Sequence, residues 1–423
     1  MVDLQSPVSA ESDVLVLDED RPVAMYPLTY LDEGDEVTVG RLDEGGFVVL
    51  PKDGADLLRM LENGTPPRQA AQWYLETYGE SVDISDFVAD LADLGFIRPQ
   101  GEASVASAAQ PVRWARLGKA VYSPVGIAVY LVVLAAFLVE AIRTPGIAPT
   151  YSNLFFTQYT SLMLVVTFLG QMPLILLHEA AHTLAGRRLG LRSKLSIGRR
   201  LYFVVFQTTM DGLVTVPRRK RVLPILAGIY SDVAILAVLS LFAAALRHSD
   251  GSFPWPAAVA LALAYMTLLR IVWQCWFFLQ TDIYYLVVTV LGCVDLHTTA
   301  KQVLSNAWRR LTGRLTHHDP QSWHPRDRRA ARWYSALMVL GYGFAIITLA
   351  AGVIPAAIRI FSEALGRFVG HGGDGNLGLV DSVVFLVLSI GEVLLAVYLF
   401  RRERRNKRAA ASAGRRRPEP ALS

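Results

Sequence analysis

The chain has 423 residues, of which 52% are hydrophobic and only 18% are charged, and its mean hydropathy is +0.34. A soluble globular chain carries about a quarter charged residues, so this composition excludes an ordinary soluble protein. Two cysteines exclude a disulfide framework. The net charge of +4 conceals a division: residues 1–100 carry 21 acidic and 6 basic side chains, whereas residues 101–423 carry 16 and 35. We therefore expect the two parts to have different functions.

Residues 1–100 are predicted to form a small soluble domain with an α+β, winged-helix-like fold. Hydrophobic residues recur at helical spacing in three short stretches, and Asp, Pro and Gly at their ends mark where each helix begins and stops. Short runs of aromatic and β-branched residues predict strands around them. The predicted elements are a strand at Gly46–Leu50, a helix from Asp53 to Gly64, a helix after Thr65 and Pro66, a helix from Asp83 or Ser85 to Gly95, and a strand at Phe96-Ile97.

Two stretches of this domain, Leu57–Thr65 and Phe87–Ile97, resemble the PqqD-like peptide-recognition domains, and the resemblance covers about residues 40–98. It implies that residues 1–100 bind a peptide, such as the leader of a ribosomally synthesised modified-peptide precursor, by adding a strand to a sheet edge. The alternative is a winged-helix module that only packs on the membrane part. The net charge of −15 argues against nucleic acid as a partner, because phosphate binding requires cations.

The rest of the chain is predicted to be a membrane domain at 121–400, preceded by a linker at 101–120 and followed by a basic tail at 401–423. A helix needs roughly 20 apolar residues to cross the hydrocarbon core of a bilayer, and six runs are long enough. The fourth run is too long for one straight span and has polar residues between Gln274 and Asp282, so we expect a break there. The six runs are Tyr122–Ile142, Thr160–Ala185, Leu223–Leu246, Pro256–Leu291, Trp333–Ile358 and Leu379–Phe400.

Basic residues in the connections predict the orientation of these spans. Residues 187–221 carry ten Lys and Arg, residues 295–332 carry eight, and the tail carries nine, whereas the three other connections share four. This alternation predicts a multi-pass protein of the plasma membrane with both termini and the two basic loops in the cytoplasm. We interpret the tail as an anchor on anionic lipid of the bilayer rather than as a nucleic-acid ligand.

Residues 195–216 lie between two predicted spans and have the pattern of a β-hairpin. Such a hairpin has an edge that can pair with an extended substrate, because a helix must unwind before a protease can cut it. The alternative is a structural amphipathic loop, and the sequence favours neither.

The segment His178-Glu179-Ala180-Ala181-His182 is a His-Glu-x-x-His motif near the end of the second span. On a helix, residues i and i+4 share a face, so both imidazoles can bind one Zn²⁺ ion. Glu179 can take a proton from water and later give it to a leaving amine. The motif lies in a span, where ionisable groups are expensive and usually functional. Two interfacial histidines that only bond to the backbone are the alternative.

A catalytic zinc site needs a third protein ligand, and the candidates are Asp211, Asp232 and Asp282. The second and fourth spans both run from outside to inside, and His178 and Asp282 both fall in the cytoplasmic third. Asp232 lies about ten residues into a span that starts inside, which places it nearer mid-depth. Asp211 lies in the basic loop. We favour Asp282 as the ligand and keep Asp211 as the second candidate.

This arrangement resembles the site-2 protease family of intramembrane zinc metalloproteases, whose members have His-Glu-x-x-His in one span and an Asp two spans later. Gln280–Leu286 corresponds to the second motif, with Ile283 where the family usually has Gly. Ala227–Asp232 corresponds to the family's Ala-Gly-Pro-x-x-Asn, with Ile229 for Pro and Asp232 for Asn. The resemblance covers about residues 120–300, and implies that Asp232 helps to position the site.

The sequence therefore predicts a zinc metalloendopeptidase that cuts a peptide or membrane-protein substrate near the cytoplasmic face. Removal of the leader from a modified-peptide precursor that residues 1–100 recruit is the function that best joins the two parts. Two alternatives stay open: a non-catalytic membrane protein for peptide export or immunity, and a regulatory protease that releases a membrane-tethered transcription factor.

Overall fold

The computed structural model describes residues 18–41, 47–98, 112–200, 203–315 and 318–350, the helix Val380–Gly391, and scattered positions between 354 and 405. The described residues are mostly helical, with a small sheet near the N-terminus and five to six helices that are long and apolar enough to cross a membrane. At this level the predicted fold class is confirmed. Most of the basic tail, and residues 101–111 of the predicted linker, lie outside the described residues.

The N-terminal sheet has three antiparallel strands in the order β1-β2-β3: β1 (Thr29–Glu33), β2 (Glu36–Gly40) and β3 (Phe47–Pro51). The side chains of Val37 and Val39 point from the central strand into the core and are fully buried. The sequence predicted β3 but not β1 and β2. The predicted strand at Phe96-Ile97 is a single bridge between Ile97 and Met25.

We call the described part of residues 1–100 the front domain. Three helices follow its sheet, and all three were predicted: α1 (Lys52–Glu62), α2 (Pro67–Tyr78) and α3 (Ile84–Asp93). The carboxylate of Asp83 accepts the N–H groups of Ser85 and Asp86 and so caps α3. The prediction that Asp53 caps α1 was wrong, because α1 begins one residue earlier, after Pro51. Asp53 instead accepts a hydrogen bond from the hydroxyl of Tyr74, which raises the pKa of Tyr74 to about 12.

The remaining helices include five of span length. Asp381, on the short helix Val380–Gly391, accepts the N–H groups of Thr160 and Ser161 at 3.1 and 2.9 Å, and so satisfies two donors in the first turn of the helix Thr160–Arg188. In the predicted linker, residues 115–121 form a short helix that the sequence analysis missed. The helices are α4 (Ala115–Val121), α5 (Pro124–Arg143), α6 (Thr160–Arg188), α7 (Arg218–Ala245), α8 (Trp255–Trp273), α9 (Asp282–Leu291), α10 (Leu296–Leu311), α11 (Pro325–Thr348) and α12 (Val380–Gly391).

The fourth predicted span is broken, as its polar residues indicated. Helix α8 ends at Trp273 and α9 begins at Asp282. Inside the break, the Thr281 hydroxyl donates to the carbonyl of Gln274 at 2.7 Å, and Gln280 has a left-handed backbone with φ of 59°. Helices α9 and α10 meet at 90°, so they make a sixth span only if the bent pair is counted as one.

The predicted β-hairpin is present between α6 and α7. Its strands β4 (Arg192–Arg200) and β5 (Phe203–Asp211) have nine residues each and pair in an antiparallel register from Arg192 with Asp211 to Arg200 with Phe203. The hairpin ends before Val216, because residues 213–215 form a short 3₁₀ turn.

The chain forms two compact units. The first contains residues 1–129, Leu177–Ile229 and Asp282–Gly292, and the second contains the rest. Helices α6 and α7 continue through both units. His178, His182 and Asp282 all lie in the first unit.

Replacement of Asp83 by alanine removes the cap of α3, which we expect to cost about 1 kcal/mol. Amide hydrogen exchange in the first turn of α3 should therefore become up to roughly fivefold faster. The matched control is Asp90→Ala, which removes an exposed carboxylate from the same helix without touching the cap. Equal exchange in the two variants would contradict the capping role.

Candidate metal centre

The His-Glu-x-x-His motif lies in the C-terminal half of α6, where His178, Glu179 and His182 are all buried. The two imidazole rings are one helical turn apart, with ring centres 4.9 Å from each other. Their Nε2 atoms approach to 3.2 Å. The i, i+4 spacing has therefore brought the same nitrogen of both rings to one point, as the sequence predicted.

Asp282, the first residue of α9, completes the group. Its Oδ2 atom lies 3.4 Å from His178 Nε2 and 3.2 Å from His182 Nε2. The carboxylate stands in the first turn of α9, where the helix dipole favours a negative charge. Asp282, which its predicted depth in the membrane favoured as the third ligand, thus lies beside both histidines.

Helix α7 fixes the tautomer of His182. The backbone carbonyl of Pro224 lies 2.8 Å from Nδ1 of His182. A carbonyl oxygen can only accept, so the proton of the neutral imidazole is on Nδ1. The lone pair of Nε2 then points to the place where His178 and Asp282 converge. This arrangement orients a metal-binding histidine.

Gly228 on α7 lies directly against the two imidazoles. A Cβ atom at this position would overlap Nε2 of both His178 and His182. Only glycine therefore allows the α7 backbone to approach the histidines this closely. The Ala227-Gly228 pair in the sequence is the signal that could have identified Gly228 as a site residue.

The distances fit a zinc ion. Three ligands arranged tetrahedrally about Zn²⁺ at about 2.0–2.1 Å lie about 3.3 Å from one another. The three distances among His178 Nε2, His182 Nε2 and Asp282 Oδ2 are 3.2, 3.2 and 3.4 Å. At this separation the carboxylate and the Nε2 lone pair of His182 repel one another unless a proton or a metal cation lies among the three atoms. The buried group can therefore bind a metal ion.

Glu179 supplies an additional buried carboxylate next to the first histidine. Its side chain is 8% exposed, and its Oε2 atom has no hydrogen-bond partner among the described residues. A buried carboxylate oxygen without a partner is costly in a purely structural role. Its position and its unused hydrogen-bonding capacity suit a group that exchanges a proton with a reactant.

The hairpin is attached to the same stretch of α6. The hydroxyl of Thr208 on β5 donates to the carbonyl of Glu179 at 3.2 Å. Two residues further along β5, Met210 packs against Gly186, where a Cβ would lie 2.9 Å from the methionine sulfur. The hairpin therefore lies beside the motif.

The front domain reaches this half of the protein through an ion-pair cluster. Glu33, at the end of β1, lies 2.8 Å from Arg218 and 3.1 Å from Arg221 at the start of α7. Gly292, just after α9, lies so close to Arg218 that a Cβ there would overlap the guanidinium. Arg218 thus connects the N-terminal sheet with the start of α7 and with the residue that follows α9. These are the two helices that carry Gly228 and Asp282.

Asp232 lies in the second compact unit. It is fully buried, and its carboxylate accepts three hydrogen bonds of 2.6–3.1 Å from Nε and Nη2 of Arg270 on α8. Arg270 also donates to the side chain of Gln171 on α6 at 2.8 Å, and Gln171 donates to the carbonyl of Leu263 at 2.9 Å. Asp232 is therefore an ion-pair residue that links three helices and is not a member of the His178–His182–Asp282 group.

Asp211, the second candidate ligand, is the last residue of β5. Its backbone pairs with Arg192. Its side chain lies outside the part of the chain that the structure describes, so its proposed role as a ligand stays a prediction.

The chain has the features of a membrane protein with a metal-binding group. It has apolar helices of span length and a buried His-His-Asp group that can bind a metal ion. No protein-family model, curated protein or solved structure matches the chain. The function must therefore be argued from the site itself.

Replacement of Gly228 by alanine should lower zinc affinity at least about tenfold, because the new methyl group would displace both imidazoles. The measurement is a titration of the purified protein with zinc against a competing chelator. Gly343→Ala on α11 is the matched control, since a Cβ at that position meets no atom within 4 Å. Unchanged affinity in Gly228→Ala would contradict the close approach of α7.

Replacement of Arg270 by methionine leaves the Asp232 carboxylate buried without its partner. We expect a loss of about 3–5 kcal/mol of stability. The double variant Arg270→Met/Asp232→Leu replaces the pair by apolar groups and should recover most of this loss. Thermal unfolding in detergent measures both effects. A double variant that is less stable than Arg270→Met would contradict the assigned ion pair.

Proposed function

We propose that this protein is a membrane zinc metalloendopeptidase. The observation that carries the proposal is the convergence of His178, His182 and Asp282 with tetrahedral ligand spacing, together with the buried Glu179 beside them. A structural zinc site is usually closed by four protein ligands, whereas catalytic sites have three. Three ligands are found here among the described residues.

The protein's own residues have separate roles in the proposed reaction. His178, His182 and Asp282 would hold Zn²⁺, and the Pro224 carbonyl keeps His182 in the tautomer that can bind. When bound, the metal supplies a Lewis acid that polarises a peptide carbonyl and acidifies water. Because Asp282 would contribute one negative charge and the imidazoles none, a site holding Zn²⁺ would keep a net positive charge and could stabilise developing negative charge.

Glu179 acts as the general base and then the general acid. Its carboxylate accepts a proton from the attacking water and later donates it to the nitrogen of the leaving amine. Burial and the lack of a competing hydrogen bond to Oε2 among the described residues support this role. The attachment of Thr208 to the Glu179 carbonyl keeps this turn of α6 in place.

The proposed substrate is a peptide recruited by the front domain. Its sheet offers strand edges of the kind that bind extended peptides by β-addition, and contacts of Glu33 with Arg218 and Arg221 join it to the half that carries the metal group. The leader of a modified-peptide precursor fits this arrangement. The proposed location is the plasma membrane, with both termini and the basic loops in the cytoplasm, supported by the distribution of Lys and Arg.

The test combines metal content with cleavage in liposomes that contain the full chain and a candidate precursor peptide. We expect about one zinc per chain, and we expect Glu179→Gln to retain zinc but to lose at least about 99% of cleavage, since general-base catalysis contributes a factor of 10²–10⁴. His178→Ala should lose both zinc and cleavage.

The variants also separate the alternatives. Cleavage that persists in Glu179→Gln, or in the presence of a strong chelator, would refute the protease. Zinc binding without cleavage of any precursor, with peptide binding retained, would favour a protein for peptide export or immunity. Cleavage of a membrane-tethered transcription factor in place of a precursor would assign a regulatory protease with the same chemistry.

A further inference from the structure

The short helix α4 has an exposed apolar side just before the first span. Trp114, Leu117 and Val121 are 58%, 43% and 43% exposed. Their spacing of three and four residues places Leu117 and Val121 on one flank of the helix, with Trp114 at its start. Each of them keeps a large part of its surface exposed, so this flank meets water, lipid or another protein.

Basic residues occupy the side of α4 that faces away from Leu117 and Val121. Arg113, Arg116 and Lys119 are all exposed, and α4 contains no acidic residue. A helix with apolar side chains on one side and Lys or Arg on the other is typical of one that lies in the interface of a bilayer with anionic headgroups. Tryptophan is also enriched at this depth.

The backbone of Trp114 supports a role for its exposed ring. Trp114 is one of two described non-glycine residues with positive φ, at 68°. This conformation is unfavourable for a bulky side chain and persists only when the surroundings enforce it. A large aromatic residue at such a position, with its ring exposed, indicates a binding role for the ring rather than a packing role.

The side of α4 that bears Gly118 packs against α6, the helix that carries His178 and His182. Gly118 lies so close to the Leu184 carbonyl that a Cβ would overlap it. The hydroxyl of Tyr122, which follows α4, donates to the carbonyl of Ala181 at 3.0 Å. Ala181 lies between Glu179 and His182, so the contact with α6 is within about one helical turn of the motif.

Helix α4 is also continuous with the first span. The Ser123 hydroxyl donates to the Ala120 carbonyl at 2.7 Å and accepts from the Gly126 N–H at 3.1 Å, so one residue ends α4 and caps α5. Gly126 lies so close to the Val121 carbonyl that a side chain would not fit. The junction is therefore short and tight, and α4 cannot move far from the membrane end of α5.

We propose that α4 is an interfacial anchor that inserts Trp114, Leu117 and Val121 into the anionic headgroup region of the cytoplasmic leaflet. Through Gly118 and Tyr122 it holds the Glu179–His182 turn of α6 at the same depth. If the proposed protease function holds, the substrate bond is then cut at the headgroup level, where water is present, and not at the centre of the bilayer.

The test uses the full chain in nanodiscs, in a background in which serine replaces Cys275 and Cys293. Zinc binding of this background is verified before any label is introduced. Single cysteines at 117 and 121, and at the matched positions 116 and 119 on the basic side of the helix, receive a nitroxide label. Relaxation by oxygen, which dissolves in lipid, is compared with relaxation by a nickel chelate, which stays in water.

We expect the ratio of oxygen to nickel accessibility to be higher at 117 and 121 than at 116 and 119. Addition of phosphatidylglycerol to phosphatidylcholine nanodiscs should raise it further, and Arg116→Gln/Lys119→Gln should abolish that increase. A label at Ala180, which is exposed on α6, should lie within about one helical turn of the depth of α4.

Three outcomes would overturn the proposal. Nickel accessibility at 117 and 121 equal to that at 116 and 119 would place α4 in water. Shielding of 117 and 121 from both reagents would mean that a protein covers this flank. A label at 180 near the bilayer centre would show that α4 does not set the depth of the motif. None of these measurements uses peptide cleavage, so their outcome is independent of the protease activity.

Discussion

The structure depends on the placement of three ligand atoms about 3.3 Å apart in a buried site. The Nε2 lone pair of His182 and the carboxylate of Asp282 repel one another at this distance, so a proton or a metal cation among the three atoms stabilises the arrangement. Helix α6 supplies both histidines from one face, α9 begins with Asp282, and α7 comes close because residue 228 is glycine. Three elements that are far apart in the chain thus serve one electrostatic requirement.

The same requirement applies to the other buried polar groups. In an apolar chain each charge inside a helix bundle needs a partner, because its desolvation costs several kcal/mol. Asp232 pairs with Arg270, and Asp381 binds the exposed N–H groups at the start of α6. Glu179 differs from them, since its Oε2 has no such partner in the described part of the chain. This difference separates a group that can react from groups that only connect helices.

Much of the fold could be predicted because it is encoded locally. Helical periodicity and the Asp83 cap identified α3, and the polar residues after Gln274 identified the break between α8 and α9. Strands β1 and β2 escaped prediction, although Val37 and Val39 alternate with polar residues. Their order in the sheet depends on pairing with each other and with β3, which alternation within one segment does not show. The helix α4 was taken for a linker because only its packing on α6 distinguishes it.

The sequence by itself identified the helices of span length, because an apolar run is a local property. It also placed both histidines on one face of a helix with Glu179 beside them, because the helical period of about 3.6 residues is local too. Tertiary structure decided which aspartate stands beside the histidines. Depth along the spans favoured Asp282 but could not show that Asp232 would be engaged by Arg270, since that contact joins residues 38 positions apart on different helices. It also revealed Pro224 and Gly228, because a backbone carbonyl and a missing Cβ carry no chemical signature until another helix packs against them.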